Sequence, residues 1–333
     1  MDDQFKAIVI NQSKDNFTRE LKTLDKSFLK SGDVLVNIEY SSLNYKDALI
    51  LKNGGKLVKE YPHIPGVDFS GKVIESSNPN FKIGEDVILT GCRVGELYHG
   101  GYAQLARVKG EFLVKKPKTL SNRNAMALGT AGFTALLCSF AIKAREELLM
   151  GEKENDVLVT GATGGVGCIA VMVLAKFGYK VTALTGKKDK KEFLKELGAS
   201  NILERKELEG EHRNLDKGLW DGVVDTVGGK ILANAISQTK PAGIVAACGL
   251  AASYKLETTV MPFIIRGVKL WGIDSVMCSK KRREFIWNEA ANLINFKILE
   301  KYIKIVGLEE LINIFPDILQ GKIAGRVLVD VKK

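Results

Sequence analysis

A glycine-rich turn between a strand-like and a helix-like segment constrains the fold of this chain more than any other feature. Residues 156–160 read Asp-Val-Leu-Val-Thr, residues 161–167 read Gly-Ala-Thr-Gly-Gly-Val-Gly, and an apolar helical segment follows directly. Glycine lets the backbone turn sharply, and the free N–H groups at the start of a helix favour an anion. A glycine motif alone is a weak signal, but its position between strand and helix predicts a site for a dinucleotide pyrophosphate.

Strand-like and helix-like segments continue to alternate after this turn, with helices such as Val166–Phe177 and Asp189–Leu197. The predicted strands are Asp156–Thr160, Lys180–Thr185, Asn201–Leu203, Gly222–Thr226, Gly243–Cys248 and Lys269–Asp274. Such alternation requires a parallel sheet, because parallel strands are joined by crossover connections and not by tight hairpins. The fold class is therefore α/β, with a doubly wound parallel-sheet domain of the Rossmann type.

The end of the second predicted strand indicates which nicotinamide cofactor this domain binds. NAD enzymes usually place an Asp or Glu about 20 residues after the glycine turn, where it binds the ribose 2′-hydroxyl. This chain reads Thr185-Gly186-Lys187-Lys188 there instead. A hydroxyl, a backbone amide and an ammonium group favour a 2′-phosphate, so we expect NADPH; the alternative is an exposed basic turn.

The rest of the chain has a different pattern of predicted secondary structure. The strand-length apolar runs before the glycine turn are Lys6–Ile10, Val34–Ile38, Gly71–Glu75 and, after a turn, a run ending at Leu89. No long amphipathic helix separates them, which is typical of a β-rich domain. Further predicted segments are bridging helices within Asn124–Ala144, a helix at Lys281–Phe296 and a closing strand at Gly325–Val329 that returns to the first domain. We predict a β-rich domain at 1–123 and 276–333, and a cofactor domain at 124–275.

Composition argues against several other classes of protein. The five cysteines form no C-x-x-C pair and the histidines are scattered, so we expect no metal site and no disulfide; these residues are Cys92, Cys138, Cys168, Cys248, Cys278, His63, His99 and His212. Small buried cysteines in a reducing compartment are the simpler interpretation. No run of ~20 uninterrupted apolar residues predicts a membrane span, and the N-terminal residues do not resemble a signal peptide. We expect a cytoplasmic protein.

The formal net charge of +10 allows nucleic-acid binding, but the lysines are spread along the whole chain. The densest run, Lys187–Lys191, follows the nucleotide motif. A solvated basic surface that attracts a phosphorylated small molecule explains this charge, and no nucleic-acid partner is expected.

Five motifs in order resemble the quinone-oxidoreductase-like branch of the medium-chain dehydrogenase/reductase superfamily. They are Asn44-Tyr45-Lys46-Asp47, residues 65–71 (Pro-Gly-Val-Asp-Phe-Ser-Gly), Gly84-Glu85-Asp86-Val87, residues 129–135 (Gly-Thr-Ala-Gly-Phe-Thr-Ala) and the glycine turn. A narrower set is similar to the bacterial acryloyl-CoA reductases that use NADPH. It comprises Ser41–Leu43, Gly91 with Gly95-Glu96, Ala246–Ala251, Thr259–Ile264 and Asp274–Met277.

The resemblance implies a GroES-like β-rich catalytic domain, a Rossmann cofactor domain, a homodimer and an active site between the domains. Carried over residue by residue, it implies cofactor contacts from Tyr45, Thr163, Gly164, Gly165, Val166, Thr185, Gly186, Lys187, Asn201, Leu250, Ile264, Ser275 and Arg326. Some relatives carry arginine at the position of Asn201, so one contact to the adenosine end is expected to be weaker here.

The zinc-dependent relatives carry Gly-His-Glu where this chain reads Gly66-Val67-Asp68, without His or Cys. No Lewis acid is therefore expected to polarise a carbonyl, which favours reduction of an activated C=C bond. The resemblance implies hydride transfer from NADPH to the β-carbon of a 2-enoyl-CoA, followed by protonation at the α-carbon. Acryloyl-CoA, which would give propionyl-CoA, is the first candidate substrate.

Several residues near these motifs carry alternative interpretations. Tyr45 could donate a proton or hydrogen bond near the thioester, or only pack against the cofactor. Lys46 and Asp47 could form a structural ion pair, and Arg326 could hold a phosphate or form a surface ion pair. His99 could line the active site, but a loop histidine is the commoner case.

Two other functions stay open at this stage. One is an NADPH-dependent reductase of quinones or α,β-unsaturated ketones. The other is a protein without enzymatic activity, a crystallin-like NADPH-binding or RNA-binding protein, although no interleaved aromatic and basic residues indicate an RNA surface.

Overall fold

The computed structural model describes residues 3–14, 16–30, 32–148, 155–211 and 213–333, without the side chains of 146–148. His212 lies outside the described residues. The chain divides into two compact units. The first comprises Met1–Phe133, Ser275–Ala291 and Tyr302–Lys333, and the second comprises Thr134–Asp274 and Asn292–Lys301. The domain boundaries at 123/124 and 275/276 stay a prediction.

The strands, in chain order, are β1 (Gln4–Gln12), β2 (Phe17–Asp25), β3 (Val34–Ser42), β4 (Asp68–Ser76), β5 (Asp86–Thr90), β6 (Leu105–Val108), β7 (Val114–Lys115), β8 (Asp156–Val159), β9 (Lys180–Thr185), β10 (Ala199–Glu204), β11 (Trp220–Asp225), β12 (Thr239–Ala247), β13 (Lys269–Gly272), β14 (Ile303–Val306) and β15 (Arg326–Asp330). The α-helices are α1 (Tyr45–Asn53), α2 (Asn122–Leu148), α3 (Gly165–Lys176), α4 (Lys191–Glu196), α5 (Gly229–Ser237), α6 (Met261–Arg266), α7 (Lys280–Leu293), α8 (Phe296–Glu300) and α9 (Leu308–Leu319).

The first unit is built on β-strands, as predicted. Within the described residues its main sheet runs β14-β15-β3-β4-β5-β7, with β6 also paired to β3, and β1 and β2 form a separate antiparallel pair. One continuous apolar core lies under these strands and includes Ile8, Val36, Phe69 and Val329. The prediction that the closing strand returns to the first domain is confirmed, because β15 pairs antiparallel with β3.

The structure also contains elements that the sequence patterns did not predict. These are the strands β2, β6, β7 and β14, the short helices α1 and α8, and the helix α9, which carries Pro316 in its interior. Helix α1 begins at a capping box, in which the backbone N–H of Asn44 donates to Asp47 Oδ2 over 3.0 Å. This hydrogen bond satisfies a free N–H group at the start of a helix of only nine residues, too short for a clear periodic pattern.

The second unit confirms the predicted parallel sheet. Among the described residues its six strands run in the order β10-β9-β8-β11-β12-β13, and every neighbouring pair is parallel. The chain moves outward from β8 in one direction through β9 and β10, then in the other through β11 to β13. The strand order therefore reverses beside β8, which in open α/β sheets marks the place where ligands bind.

Helix α2 corrects one expectation from composition. Residues Asn122–Arg145 are long and apolar enough to cross a membrane, yet 89% of the most apolar part is buried inside the protein. Gly129 interrupts the helix with φ 54° and ψ −155°. A buried apolar helix of this kind is a core element of the fold.

The expectation that the cysteines are buried is met only in part. All five carry free thiols. Cys138 and Cys168 are buried, but Cys92, Cys248 and Cys278 are half-buried.

Candidate functional site

The glycine turn follows β8 and leads into α3, at the point where the strand order reverses. Gly161 has φ 58°, and a side chain at Gly167 would collide with the backbone oxygen of Gly161. Both positions therefore require glycine, the first for its conformation and the second for the close approach of the backbone. In the described part of the chain no side chain caps the N-terminus of α3. Its free N–H groups and the helix dipole suit an anion such as pyrophosphate.

A second turn, at the end of β9, lies against the first. The hydroxyls of Thr163 and Thr185 are 3.2 Å apart, and the backbone N–H of Lys187 donates to Thr185 Oγ1 over 3.0 Å. Partial burial lowers the pKa of the Lys187 ammonium from its usual value. The predicted pyrophosphate and 2′-phosphate residues are thus neighbours in space.

A buried carboxylate supports the glycine turn from the adjacent strand β11. Asp225 accepts hydrogen bonds from Thr160 Oγ1 at 2.7 Å and from the backbone N–H of Gly228 at 2.8 Å. Burial raises the pKa of Asp225 above its usual range. Thr226 then donates from its hydroxyl to the backbone oxygen of Thr160. The carboxyl ends of β8 and β11 are held together by these bonds.

The remaining predicted contacts of the second unit lie on other elements. Leu250 follows β12 and is 57% exposed, and Ile264 on α6 is 75% exposed. Asn201 pairs with Thr182 in the β10–β9 ladder, three residues before the turn at Thr185. The register places Glu204, and not Asn201, beside Thr185.

Arg205 lies beside the lysine-bearing turn, a position that the sequence patterns did not indicate. It directly follows β10, and a Cβ atom built on Gly186 would lie 3.5 Å from Arg205 Cδ. Its guanidinium pairs with Glu209 at 2.6 Å and its side chain is half exposed. A second cation therefore stands beside the lysine-bearing turn, and only the β10–β9 register reveals it.

The first unit holds a buried polar cluster around two carboxylates. Asp68 accepts hydrogen bonds from Ser42 Oγ at 2.8 Å, Asn44 Nδ2 at 2.9 Å and the backbone N–H of Thr130 at 2.8 Å. Asp47 accepts from the backbone N–H of Val67 at 2.9 Å. Both carboxylates are fully buried, so their hydrogen bonds replace the water that they lose.

The second carboxylate of this cluster titrates in an unusual range. Burial, and secondarily the charge of Asp68, raises the pKa of Asp47 to about 7. Asn44 Oδ1 is buried beside it without a hydrogen-bond partner. Tyr45 lies at the first position of α1 and is 37% exposed. The capping box that holds Asn44 and Asp47 thus also fixes the start of the helix from which Tyr45 projects.

The structure gives the contacts of three residues that carried alternative interpretations. Lys46 pairs with Glu96 at 2.8 Å, so the suggested ion pair between Lys46 and Asp47 is wrong. Arg326 is 2% exposed and donates to Ser42 Oγ at 3.0 Å, which excludes a surface ion pair. His99 stacks on Phe28 with a centroid distance of 5.0 Å and accepts from the backbone N–H of Ile64. It is therefore a packed loop histidine.

The described residues do not form a zinc site. Among these residues, no group of three or more His, Cys, Asp or Glu side chains is arranged to hold a metal ion. His63 and His99 lie 5.1 Å apart by their ring centroids, and burial lowers the pKa of His63 to about 4. Asp68, at the motif that differs from the zinc-dependent relatives, is occupied by its hydrogen bonds to Ser42, Asn44 and Thr130.

Two separate parts of the chain match known protein-domain families. Residues 30–118 match the alcohol dehydrogenase GroES-like domain, and residues 165–294 match the zinc-binding dehydrogenase domain. The probable acrylyl-CoA reductase AcuI of Escherichia coli (strain K12) is 45% identical over 325 residues, which cover 98% of this chain and 99% of the relative. The chain belongs to the medium-chain dehydrogenase/reductase superfamily, in its acryloyl-CoA reductase group.

Further relatives agree with this assignment. Acrylyl-CoA reductase AcuI of Ruegeria pomeroyi is 44% identical over 330 residues, covering 98% of this chain and 99% of the relative. The crystal structure of YhdH of Escherichia coli K-12 with bound NADPH is 45% identical and superposes with a TM-score of 0.92, covering 98% and 99% of the two chains. The GroES-like and Rossmann domains that the resemblance implied are confirmed, as is the family.

Proposed function

We propose that this chain reduces the C=C bond of a 2-enoyl-CoA with NADPH, converting acryloyl-CoA to propionyl-CoA. One observation carries the proposal: the chain is 45% and 44% identical, over nearly its whole length, to two proteins named as acrylyl-CoA reductases. The lysine-bearing turn after β9 supports NADPH, as does the relative whose structure holds that cofactor.

The two turns of the second unit are the proposed phosphate contacts. Thr163, Gly164, Gly165 and Val166 would surround the pyrophosphate at the start of α3. Thr185, Gly186 and Lys187 would bind the 2′-phosphate, and Arg205 would add positive charge beside them. Asn201, which pairs with Thr182, stays a proposed contact to the adenosine end. The other proposed cofactor contacts are Tyr45, Leu250, Ile264, Ser275 and Arg326.

When bound, NADPH supplies the hydride that reduces the β-carbon of the enoyl thioester. The protein must then stabilise negative charge on the thioester oxygen and provide a proton for the α-carbon. We propose Tyr45 for these tasks, because its side chain is partly exposed and a tyrosine hydroxyl can donate a hydrogen bond. Asn44 and Asp47 would hold it in place through the first turn of α1.

A cytoplasmic homodimer completes the proposal. The four residues of the edge strand β13 are all exposed, with Leu270 and Trp271 among them. An exposed edge with apolar side chains suits pairing with a second copy, as the family resemblance implies. Free thiols at all five cysteines are in keeping with a reducing compartment.

One set of assays tests the proposed reaction. NADPH oxidation is followed with acryloyl-CoA, crotonyl-CoA and a small quinone under the same conditions. We expect the highest kcat/KM with acryloyl-CoA. Turnover of the quinone alone would replace this proposal with a quinone reductase, and NADPH binding without any turnover would favour a binding protein.

A further inference from the structure

Arg283, on α7, is a buried cation that gathers backbone oxygens from two distant segments of the first unit. It is 2% exposed. Its Nη1 donates to the backbone oxygen and, over 2.9 Å, to the hydroxyl of Thr90 at the end of β5. Its Nη2 donates to the backbone oxygens of Ser275, Val276 and Cys278 at 3.4, 3.1 and 3.3 Å.

Hydrogen bonds to these oxygens offset the free-energy cost of burying the charged guanidinium. Among the described residues no carboxylate lies within ion-pair distance of Arg283, and its other neighbour is the ring of Phe133, 5.1 Å away. A buried charge without a counter-ion is costly unless nearly every N–H donor is satisfied. Such a cost is tolerated when the contacts hold a backbone in one defined place.

The two gathered segments also touch each other directly. The backbone N–H of Cys92 donates to the oxygen of Val276 over 2.9 Å. A Cβ atom on Gly91, which has φ 74°, would lie 2.8 Å from that same oxygen. The backbones of the turn at 90–92 and of the segment 275–278 are therefore so close that no side chain fits between them at Gly91. Arg283 forms hydrogen bonds to both.

This turn continues toward the start of α1. The loop from Gly91 reaches Glu96, which is buried and accepts from Lys46 Nζ over 2.8 Å. Lys46 is the neighbour of Tyr45 on α1. One connected set of contacts thus runs from Arg283 to Ser275 on one side and to the helix of Tyr45 on the other.

We propose that Arg283 is a positioning residue that fixes Ser275 for cofactor binding, by clamping the segment 275–278 onto the turn at 90–92. The inference rests on the proposed function, in which Ser275 contacts NADPH. Arg283 touches neither cofactor nor substrate; it acts through the backbone that carries Ser275. Replacing Arg283 should therefore raise the Kd of NADPH more than replacing another buried residue that lowers Tm by the same amount.

The first experiment compares two buried residues of α7. The Kd of NADPH is measured by fluorescence titration for Arg283→Met, Arg283→Lys and the control Trp287→Phe, with Tm measured for each. Trp287 is fully buried and stacks on the same Phe133, but in the described structure its indole N–H has no hydrogen-bond partner and so does not hold the 275–278 backbone. We expect Kd to rise about tenfold for Arg283→Met, less for Arg283→Lys, and under about twofold for Trp287→Phe at a similar loss in Tm.

A double-mutant cycle with Ser275→Ala tests the route of the effect. If Arg283 acts through Ser275, Ser275→Ala weakens NADPH binding in the wild type and adds little in the Arg283→Met background. Equal shifts for Arg283→Met and Trp287→Phe, additive losses, or no loss from Ser275→Ala alone would each overturn the inference. Wild-type protein that binds no NADPH would instead overturn the proposed function.

Discussion

The hydroxyls of Thr163 and Thr185 lie 3.2 Å apart, one in the glycine turn after β8 and the other at the end of β9. This hydrogen bond joins the turn proposed for pyrophosphate to the turn proposed for the 2′-phosphate. Because Lys187 N–H also donates to Thr185, the position of the lysine is tied to that of the glycine turn. Discrimination between NADPH and NADH should therefore respond to changes in this small region.

Reversal of the charge at Lys187 tests the cofactor assignment. Lys187→Glu replaces an attractive contact to a phosphate with a repulsive one, so we expect KM for NADPH to rise roughly 100-fold. NADH lacks the 2′-phosphate, and its KM should change less than about threefold. Steady-state kinetics with both cofactors measure the ratio. Lys195→Glu, an exposed change of the same charge on α4, is the control, and equal losses for both cofactors would contradict the assignment.

Arg205 is expected to contribute a smaller share of the same preference. Arg205→Ala should raise KM for NADPH about five- to tenfold and leave KM for NADH unchanged, since a half-exposed cation contributes less than one in close contact. Lys206→Ala is a matched control, because Lys206 is the next residue, is more exposed and pairs with Glu204. If the two variants behave alike, Arg205 has no role in cofactor selection.

Tyr45→Phe tests the proposed proton or hydrogen-bond donor. Loss of a general acid usually lowers the rate by about 10²–10⁴-fold, so kcat with acryloyl-CoA should fall by at least about 100-fold. The Kd of NADPH should rise less than about threefold, because the ring remains. Tyr98→Phe, whose ring packs on Phe112 in the same unit, should keep full activity. A Tyr45→Phe enzyme with unchanged kcat would leave Tyr45 only a packing role.

The buried carboxyl of Asp47 predicts a specific dependence of stability on pH. Its pKa is about 7 in the folded protein and 3.8 in the unfolded chain, so the folded state binds the proton more tightly. The contribution of Asp47 to stability is therefore complete below about pH 4 and is lost as pH rises through 7. The free energy of unfolding should fall by at most about 4 kcal/mol over this interval on account of this group.

The variant Asp47→Asn isolates that effect. Its amide lowers stability at every pH, because Asp47 accepts hydrogen bonds from Asn44 and Val67. The difference in unfolding free energy between wild type and variant, measured by urea titration, should shrink as pH rises from 4 to 7. His63 changes protonation in part of the same interval, but it is present in both proteins and cancels. A difference that is constant with pH would show that Asp47 is ionised throughout.

Local sequence patterns predicted most of the secondary structure. The strands of the parallel sheet were predicted from the alternation of strand-like and helix-like segments, and β9 was predicted with its observed ends. Neither α1 nor α9 was predicted. Helix α1 depends on a capping box, and α9 contains a proline that a local pattern interprets as an end to a helix.

The proposed site residues also differ in how far the sequence alone could identify them. The glycine turn and Thr185–Lys187 could be named from the sequence, because each is a short contiguous motif with its own backbone requirement. Arg205 could not, since only the β10–β9 register places it beside Gly186. Arg283 is 193 residues from Thr90 in the chain, so no local pattern links them.

By itself the sequence determined the α/β class, the dinucleotide turn and the family, because these depend on local backbone chemistry and on motifs that lie close together in the chain. Tertiary structure alone decided that Asp47 and Asp68 share a buried cluster, that Lys46 pairs with Glu96 and that Arg283 joins two segments. The energy of a buried charge depends on which distant dipoles and charges surround it, and chain folding sets that environment.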